Sequence, residues 1–491
     1  MIIVPETKQE VEHGTAEGQG VNAGGLGVHN SECLGADSRS YIREPGSNHP
    51  AHSLALLLPP LPPPPPYNPY SSHSSHPLLI SPTTLVHRQS PLSRFLKAFL
   101  LASLLYILIL GAAQGSVRMA FRSHGSMAGQ VGAEDGTVVD CINSANWGNY
   151  EFSPTWPMLP QPGRNYPHGA HTKFTLPVDV DALYLFARGA YQHGHVRVVQ
   201  SDTVDQGTVH VDVRAAYYEE RALSRVTLFR LAISSQTPVW GWTLNHRDQV
   251  QFQVTFTFPA APAETPLRIK RFETETGLFS HSVGNLYETM FFDQISITTS
   301  NSNINVESIT LEHGTFKSSN GYITGHYNAS RSLKLVTTNE FIKATVSLLN
   351  GDSSGTELEM RTSNSPINSE VSLSSLSTTS GRFKVSAYSS NSPISLRYTD
   401  APPISTLIST AATSNGEAFV KMHNMFEGTL EVTTLNAPSV LRASRGGNGQ
   451  RVIHQRRVGC SIVGSVSLGE GRGLRGSTSV RSSNGRALLE V

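Results

Sequence analysis

The sequence predicts an all-β fold: a sandwich-like N-terminal β unit followed by a β-solenoid-like repeat array, after a disordered tail and one transmembrane helix. Three observations carry this expectation. A polar corner, Ser/Thr-Ser/Thr-Asn followed by an apolar alternating run, recurs through the second half of the chain. Charged residues are only 15 % of the 491, whereas Gly, Ser, Thr, Asn and Pro are abundant, which favours strands and turns over surface helices. One apolar run, Phe95 to Ala113, is long enough to cross a bilayer.

Taken in order, residues 1–93 are rich in Gly, Ser, Pro and His and carry no sustained periodicity, which predicts a disordered tail. Pro62 to Pro66 are expected to form a stiff polyproline II segment, and Pro64, Pro65 and Tyr67 make a Pro-Pro-x-Tyr ligand of the kind cytoplasmic WW domains read. Residues 94–114 are the expected transmembrane helix, since the nineteen residues Phe95 to Ala113, interrupted only by Lys97, Ser103 and Tyr106, reach about 28 Å against a hydrocarbon core of roughly 30 Å. Arg88, Arg94 and Lys97 lie on the N-terminal side of the run and Arg118 and Arg122 on the other, a small excess that favours a cytoplasmic N-terminus. The sequon Asn328-Ala329-Ser330 lies on the other side and marks Asn328 as a glycosylation acceptor. Together these predict a type II single-pass protein at the plasma membrane or in the secretory pathway, with its C-terminal domain outside. A linker, 115–136, leads into that domain.

Residues 137–264 hold the sandwich-like β unit. Thr208 to Arg214 and Val250 to Phe256 alternate with period two, as strands with one buried face do. Pro259 and Pro262 end that pattern, and Leu267 to Phe272 open the array, which runs over 265–441. Its corners are Asn301, Asn320, Asn339, Asn364, Asn391 and Asn415, spaced 19, 19, 25, 27 and 24 residues apart. That period is the length of one coil in a stacked repeat. Ile304, Ile323, Ile342, Ile367 and Ile394 follow the first five asparagines by three residues, an offset that aims them into a common core. Asparagine suits a tight corner because its short amide tolerates left-handed backbone angles, and glycine following it at Gly321, Gly416 and Gly485 strengthens the corner reading. Residues 442–460 read as an Arg/Gly-rich loop and 461–491 as a last β stretch.

Chemistry is hard to find. His193-Gly194-His195 places two imidazoles on one strand face, but no carboxylate follows within reach, so two exposed histidines on a turn is the plainer reading. His168 and His171 would complete a metal set only by coincidence of folding. Gly469-Glu470-Gly471-Arg472-Gly473 lacks the strand–helix frame of a dinucleotide loop and reads as a hairpin tip. No nucleophile elbow or phosphate loop occurs, so no enzyme activity, cofactor or metal is expected. A net charge of +1 gives no general pull toward nucleic acid. Nine arginines between Arg442 and Arg486 against Glu470 alone suggest a protected strand edge, or a surface for anionic glycans or lipid headgroups. Cys141 and Cys460, the two cysteines on the outer side, are candidates for a disulfide.

The repeated Thr-Ser-Asn-Gly corner before Ile/Val-rich strands resembles the putative-adhesin family of unknown function, whose members build β-solenoid-like domains. The order of Pro-rich tail, membrane helix and β ectodomain is similar to uncharacterised single-pass proteins of filamentous and mushroom-forming fungi. The resemblance implies a non-enzymatic surface protein, anchored in a lipid bilayer, that contacts cell-wall or extracellular glycans or proteins. The alternative is a membrane adaptor that recruits a WW-domain ubiquitin ligase through Pro64 to Tyr67.

Overall fold

The computed structural model describes residues 141–142, 147–149, 166–188, 192–224, 226–229, 232–235, 248–261, 265–351, 354–376, 380–443, 451–468 and 474–491. The expected tail, transmembrane helix and linker, with Pro64, Pro65 and Tyr67, lie outside these residues. Among the described residues no helix is long and apolar enough to cross a membrane.

The N-terminal strands are β1 (Cys141–Ile142), β2 (Gly148–Asn149), β3 (His168–Pro177), β4 (Leu183–Arg188), β5 (Gln192–Ser201), β6 (Thr208–Tyr217), β7 (Val226–Phe229), β8 (Ala232–Ser235) and β9 (Val250–Pro259), with one short helix, α1 (Glu220–Ser224). The array follows as β10 (Leu267–Thr276), β11 (Phe279–Asn285), β12 (Met290–Thr299), β13 (Ile304–Lys317), β14 (Ile323–Val336), β15 (Ile342–Asn350), β16 (Thr356–Arg361), β17 (Ile367–Ser375), β18 (Ser380–Ser389), β19 (Ile394–Asp400), β20 (Ile404–Thr413) and β21 (Ala418–Lys421). The last strands are β22 (Gly428–Thr434), β23 (Ser439–Arg442), β24 (Arg451–Val458), β25 (Ser461–Leu468), β26 (Gly476–Ser482) and β27 (Ala487–Glu490).

Each coil is a strand, a polar corner and a second strand, so the coils stack into two parallel columns. The first column runs β4, β10, β12, the second halves of β13 and β14, β16, β18, β20, β26 and β22. The second runs β5, β11, the first halves of β13 and β14, β15, β17, β19, β21, β27 and β23. Inward side chains of the two columns meet in one core. Ile304, Ile323, Ile342, Ile367 and Ile394 are at most 1 % exposed and are successive partners in the second column. Period-two alternation produces this directly: in β13 the first, third, sixth and eighth residues are buried while their neighbours are wetter.

The chain departs from the expected sandwich over 137–264. β4 and β5 already pair in parallel with β10 and β11, so the stack begins before residue 265 and one sheet runs through the supposed boundary. Alternating strands look alike in a sandwich and in a coil; only their partners differ. β9 adds in parallel to β5, then β6 and β3 run antiparallel and close that end. An aromatic knot joins this cap to the coils. Phe272 sits edge-on to Phe256, Phe258 and Phe292, with ring centroids 5.3, 6.2 and 6.3 Å away.

At the other end a second correction applies. Residues 451–458, within the expected loop 442–460, form β24, the outer strand of an antiparallel hairpin with β25 that caps β22. Val452, Ile453 and Val458 give it apolar content, and exposed arginines 456 and 457 line it. Charge on an outer strand discourages further pairing. Of the others, Arg481 donates to Glu431 at 2.7 Å and Arg475 lies 4.0 Å from Glu427. Arg475 and Arg481 therefore do not join Arg456 and Arg457 in one unpaired basic patch.

Candidate functional site

The corners build two ladders. Asn320 Nδ2 donates to Asn301 Oδ1, and the same bond repeats from Asn339 to Asn320 (2.5 Å), Asn364 to Asn339 (2.6 Å), Asn391 to Asn364 (2.7 Å) and Asn415 to Asn391 (2.8 Å). It continues from Asn484 to Asn415 and from Asn436 to Asn484, both at 2.7 Å. Beneath it runs a buried hydroxyl ladder from the first residue of each corner. Ser318, Thr337, Thr362, Thr413 and Ser482 each donate to a backbone carbonyl of the neighbouring coil at 2.9–3.1 Å. These bonds satisfy carbonyls that the corner would otherwise leave unpaired. Asn364→Ala removes two amide bonds and is expected to lower stability by about 1–2 kcal/mol, read as a shift in the urea midpoint. An unchanged midpoint would show that the amide ladder adds nothing.

The glycines after the asparagines are required by close stacking, not by left-handed backbone. Among the described residues the positive-φ glycines are Gly325, Gly355 and Gly459, so Gly321, Gly416 and Gly485 are not left-handed. A Cβ on any of the three would collide with the backbone of the coil beside it: at Ser302, Ser392 or Gly416. Close stacking selects glycine there.

A polar groove of about 580 Å³ lies on the outer face of the second column. β5 contributes His195, Arg197 and Val199, β9 contributes Gln253, and β11 contributes Ser282 and Asn285. The turn after β11 adds Leu286 and Thr289, and β13 adds Glu307. The register explains the convergence, since Thr255, Arg197, Ser282 and Asn305 are successive partners across β9, β5, β11 and β13. Gly194 lets β5 approach, because a Cβ there would strike the Phe252 carbonyl and the Phe279 ring. His195 Nδ1 bonds Ser280 Oγ at 2.9 Å. Burial, then the neighbouring Arg197 charge, lowers its pKa, so the imidazole is neutral near pH 7. The groove thus sets a guanidinium, amides, hydroxyls and a carboxylate around one depression.

Behind it His281 is buried and its Nε2 bonds Thr274 Oγ1 at 2.9 Å. Burial first, then His195, pushes its pKa down to about 3. Between about pH 3 and 6.5 the unfolded chain binds a proton there that the folded chain refuses, so stability falls as pH drops through that window. A stability–pH profile is expected to flatten over that range in His281→Gln; an identical slope would remove the assignment.

The other sequence candidates lie apart. Asn328 is half-buried in the middle of β14, paired with Thr310 and Ser347, not in the loop a sequon favours. His193 Nε2 meets the Tyr166 hydroxyl at 3.3 Å, and His168 stacks on Tyr217. No three His, Cys, Asp or Glu side chains among the described residues gather as a metal set. Cys460 sits in the turn between β24 and β25. Cys141 lies in β1, on β7, at the other end of the stack. From β4 to β25 the first column spans on the order of 50 Å, whereas a disulfide needs Cα atoms within about 4.4–6.8 Å. A Cys141–Cys460 bridge does not span that separation. Sequence reading missed the groove, whose residues come from four distant segments. It also missed Asn436, whose corner carries Leu435 where the phrase has a hydroxyl.

No family model matches the chain, and no curated protein matches it. Among solved structures it is similar to a putative cell adhesion protein from Clostridium sporogenes, with 8 % identity over 65 % of this chain and 99 % of that one. The TM-score is 0.13, too low to carry an argument about fold or function.

Proposed function

We propose that the β stack is the non-enzymatic binding domain of a single-pass membrane protein, held outside the membrane by residues 94–114 and adhering to extracellular or cell-wall glycans. The observation that carries this reading is the groove around Arg197, Gln253, Ser282, Asn285 and Glu307. Its volume of about 580 Å³ suits a few sugar rings, and its mixed donors and acceptors match a polyol. The stack behind it holds these groups on strands, where little ordering entropy is lost on binding. Full-length protein in detergent, applied to a glycan array, is expected to bind a defined glycan class. Arg197→Ala with Glu307→Ala should weaken that binding by roughly tenfold or more, since each removes a charge-assisted bond of about 1.5–3 kcal/mol. Both side chains are exposed, so folding is not at stake. Absence of glycan binding, or equal binding by the variant, would reject the reading.

A second reading keeps Pro64, Pro65 and Tyr67 as a WW-domain ligand on the cytoplasmic side. A peptide of residues 60–70 then binds WW domains and Tyr67→Ala abolishes it; equal binding leaves only a spacer.

A further inference from the structure

The last coil is out of chain order. The coil of β20 and β21 is followed in sequence by that of β22 and β23, then by the β24–β25 hairpin, and only then by β26 and β27. In space β26 lies between β20 and β22, and β27 lies between β21 and β23. The final residues of the chain are thus inserted between two coils that precede them. The fit is complete on both sides. Thr413, Ser482 and Thr434 are in register, as are Ala418, Ala487 and Ser439. Asn484 bonds Asn415 on one side and receives Asn436 on the other. Val480, Ala487, Leu489 and Val491 are at most 1 % exposed.

The slot recognises backbone ladders, small side chains and charge, with Arg481 donating to Glu431 at 2.7 Å and Lys421 to Glu490 at 2.8 Å. Gly428 and Gly476 face each other where no Cβ fits on Gly428. Glu427, 6 % exposed, accepts from the Leu468 amide at 2.9 Å through its carboxylate and from the Gly476 amide at 3.0 Å through its carbonyl. It therefore clasps both flanks of residues 469–475, whose sequence carries Gly469, Gly471 and Gly473.

Because the inserted coil follows β22 and β23 in the chain, those strands cannot take their final places before it arrives, and a slot with two open edges must exist first. Every feature of that slot is met equally by the same residues of another molecule. We infer that the slot accepts the C-terminal coil of a second copy of this chain, two copies exchanging residues 474–491 reciprocally. Such an exchange keeps every ladder bond and needs only the glycine-bearing connection to run outward. The inference stands independently of the glycan reading; where both hold, exchange supplies a contact between like molecules.

Cysteine trapping in the full chain tests it. Ser414 and Ser483 occupy the same corner position on adjacent coils, with the Asn484 amide donating to the Ser414 carbonyl at 2.8 Å. Two differently tagged copies are co-expressed, one with Ser414→Cys and the other with Ser483→Cys, and oxidised. A covalent heterodimer is expected, several-fold above the pair Ser363→Cys with Ser483→Cys, whose positions are separated by further coils. A single chain with both Ser414→Cys and Ser483→Cys reports the unexchanged form by internal cross-linking. Internal cross-linking with no heterodimer, heterodimer equal to the distant pair, or no cross-link of either kind would each overturn the inference.

Discussion

Gly416→Val is expected to lower the stability of the stack by about 3 kcal/mol or more, whereas Gly207→Val leaves it nearly unchanged. A side chain at Gly416 would enter the carbonyl of Ser392 and the nitrogen of Pro393, which are backbone and cannot rotate away. Gly416 is buried and its amide donates to Thr413 Oγ1 at 3.2 Å, so moving the corner also breaks the hydroxyl ladder. Gly207 has open space where its Cβ would be. Urea unfolding of both variants makes the comparison. Equal midpoints would mean that the corners are not stacked this closely.

Phe272→Ala is the second large effect, an expected loss of about 3–5 kcal/mol. The ring is fully buried and touches three phenylalanines that belong to the cap, through Phe256 and Phe258, and to the next coil, through Phe292. Removing it leaves a cavity at the junction, not within a single coil. In a stack whose coils contact mainly their neighbours, the loss stays near its origin. Amide exchange should rise in β9, β10 and β12 while β16 to β21 keep their protection. Uniform loss of protection would show a single cooperative block instead.

The coil repeat is legible because two residue types mark it at a fixed offset: an asparagine at the corner and an isoleucine three residues on, as in Asn320 and Ile323 or Asn391 and Ile394. Both have sharp physical roles, one bonding along the stack and one filling the core. What marks no residue type stays hidden. The order of coils is set by backbone ladders, which nearly any side chain permits, so nothing in Gly476 to Val491 announces that it pairs with β20 and β22 rather than adding at the end. The β4–β5 coil was hidden likewise, since Leu183 and Val196 alternate with their neighbours in any sheet. Arg456 and Arg457 suggest a loop by composition, yet exposed charge is what an outer strand such as β24 carries. The groove is illegible for a topological reason: Arg197, Gln253, Ser282 and Glu307 meet only once β9, β5, β11 and β13 are side by side.

The continuous stack, with its last coil inserted, is tested most directly by one distance. Ser300 and Leu435 hold the same corner position at the two ends of the asparagine ladder, and both are exposed. The connecting corners run through Ser319, Thr338, Ser363, Ser390, Ser414 and Ser483. Seven spacings of about 4.8 Å separate the ends. Spin labels on Ser300→Cys and Leu435→Cys should give, by pulsed electron resonance, one narrow distance distribution near 34 Å. A mean below about 25 Å, or a broad spread, would contradict an in-register stack, and one near 29 Å would contradict the inserted coil.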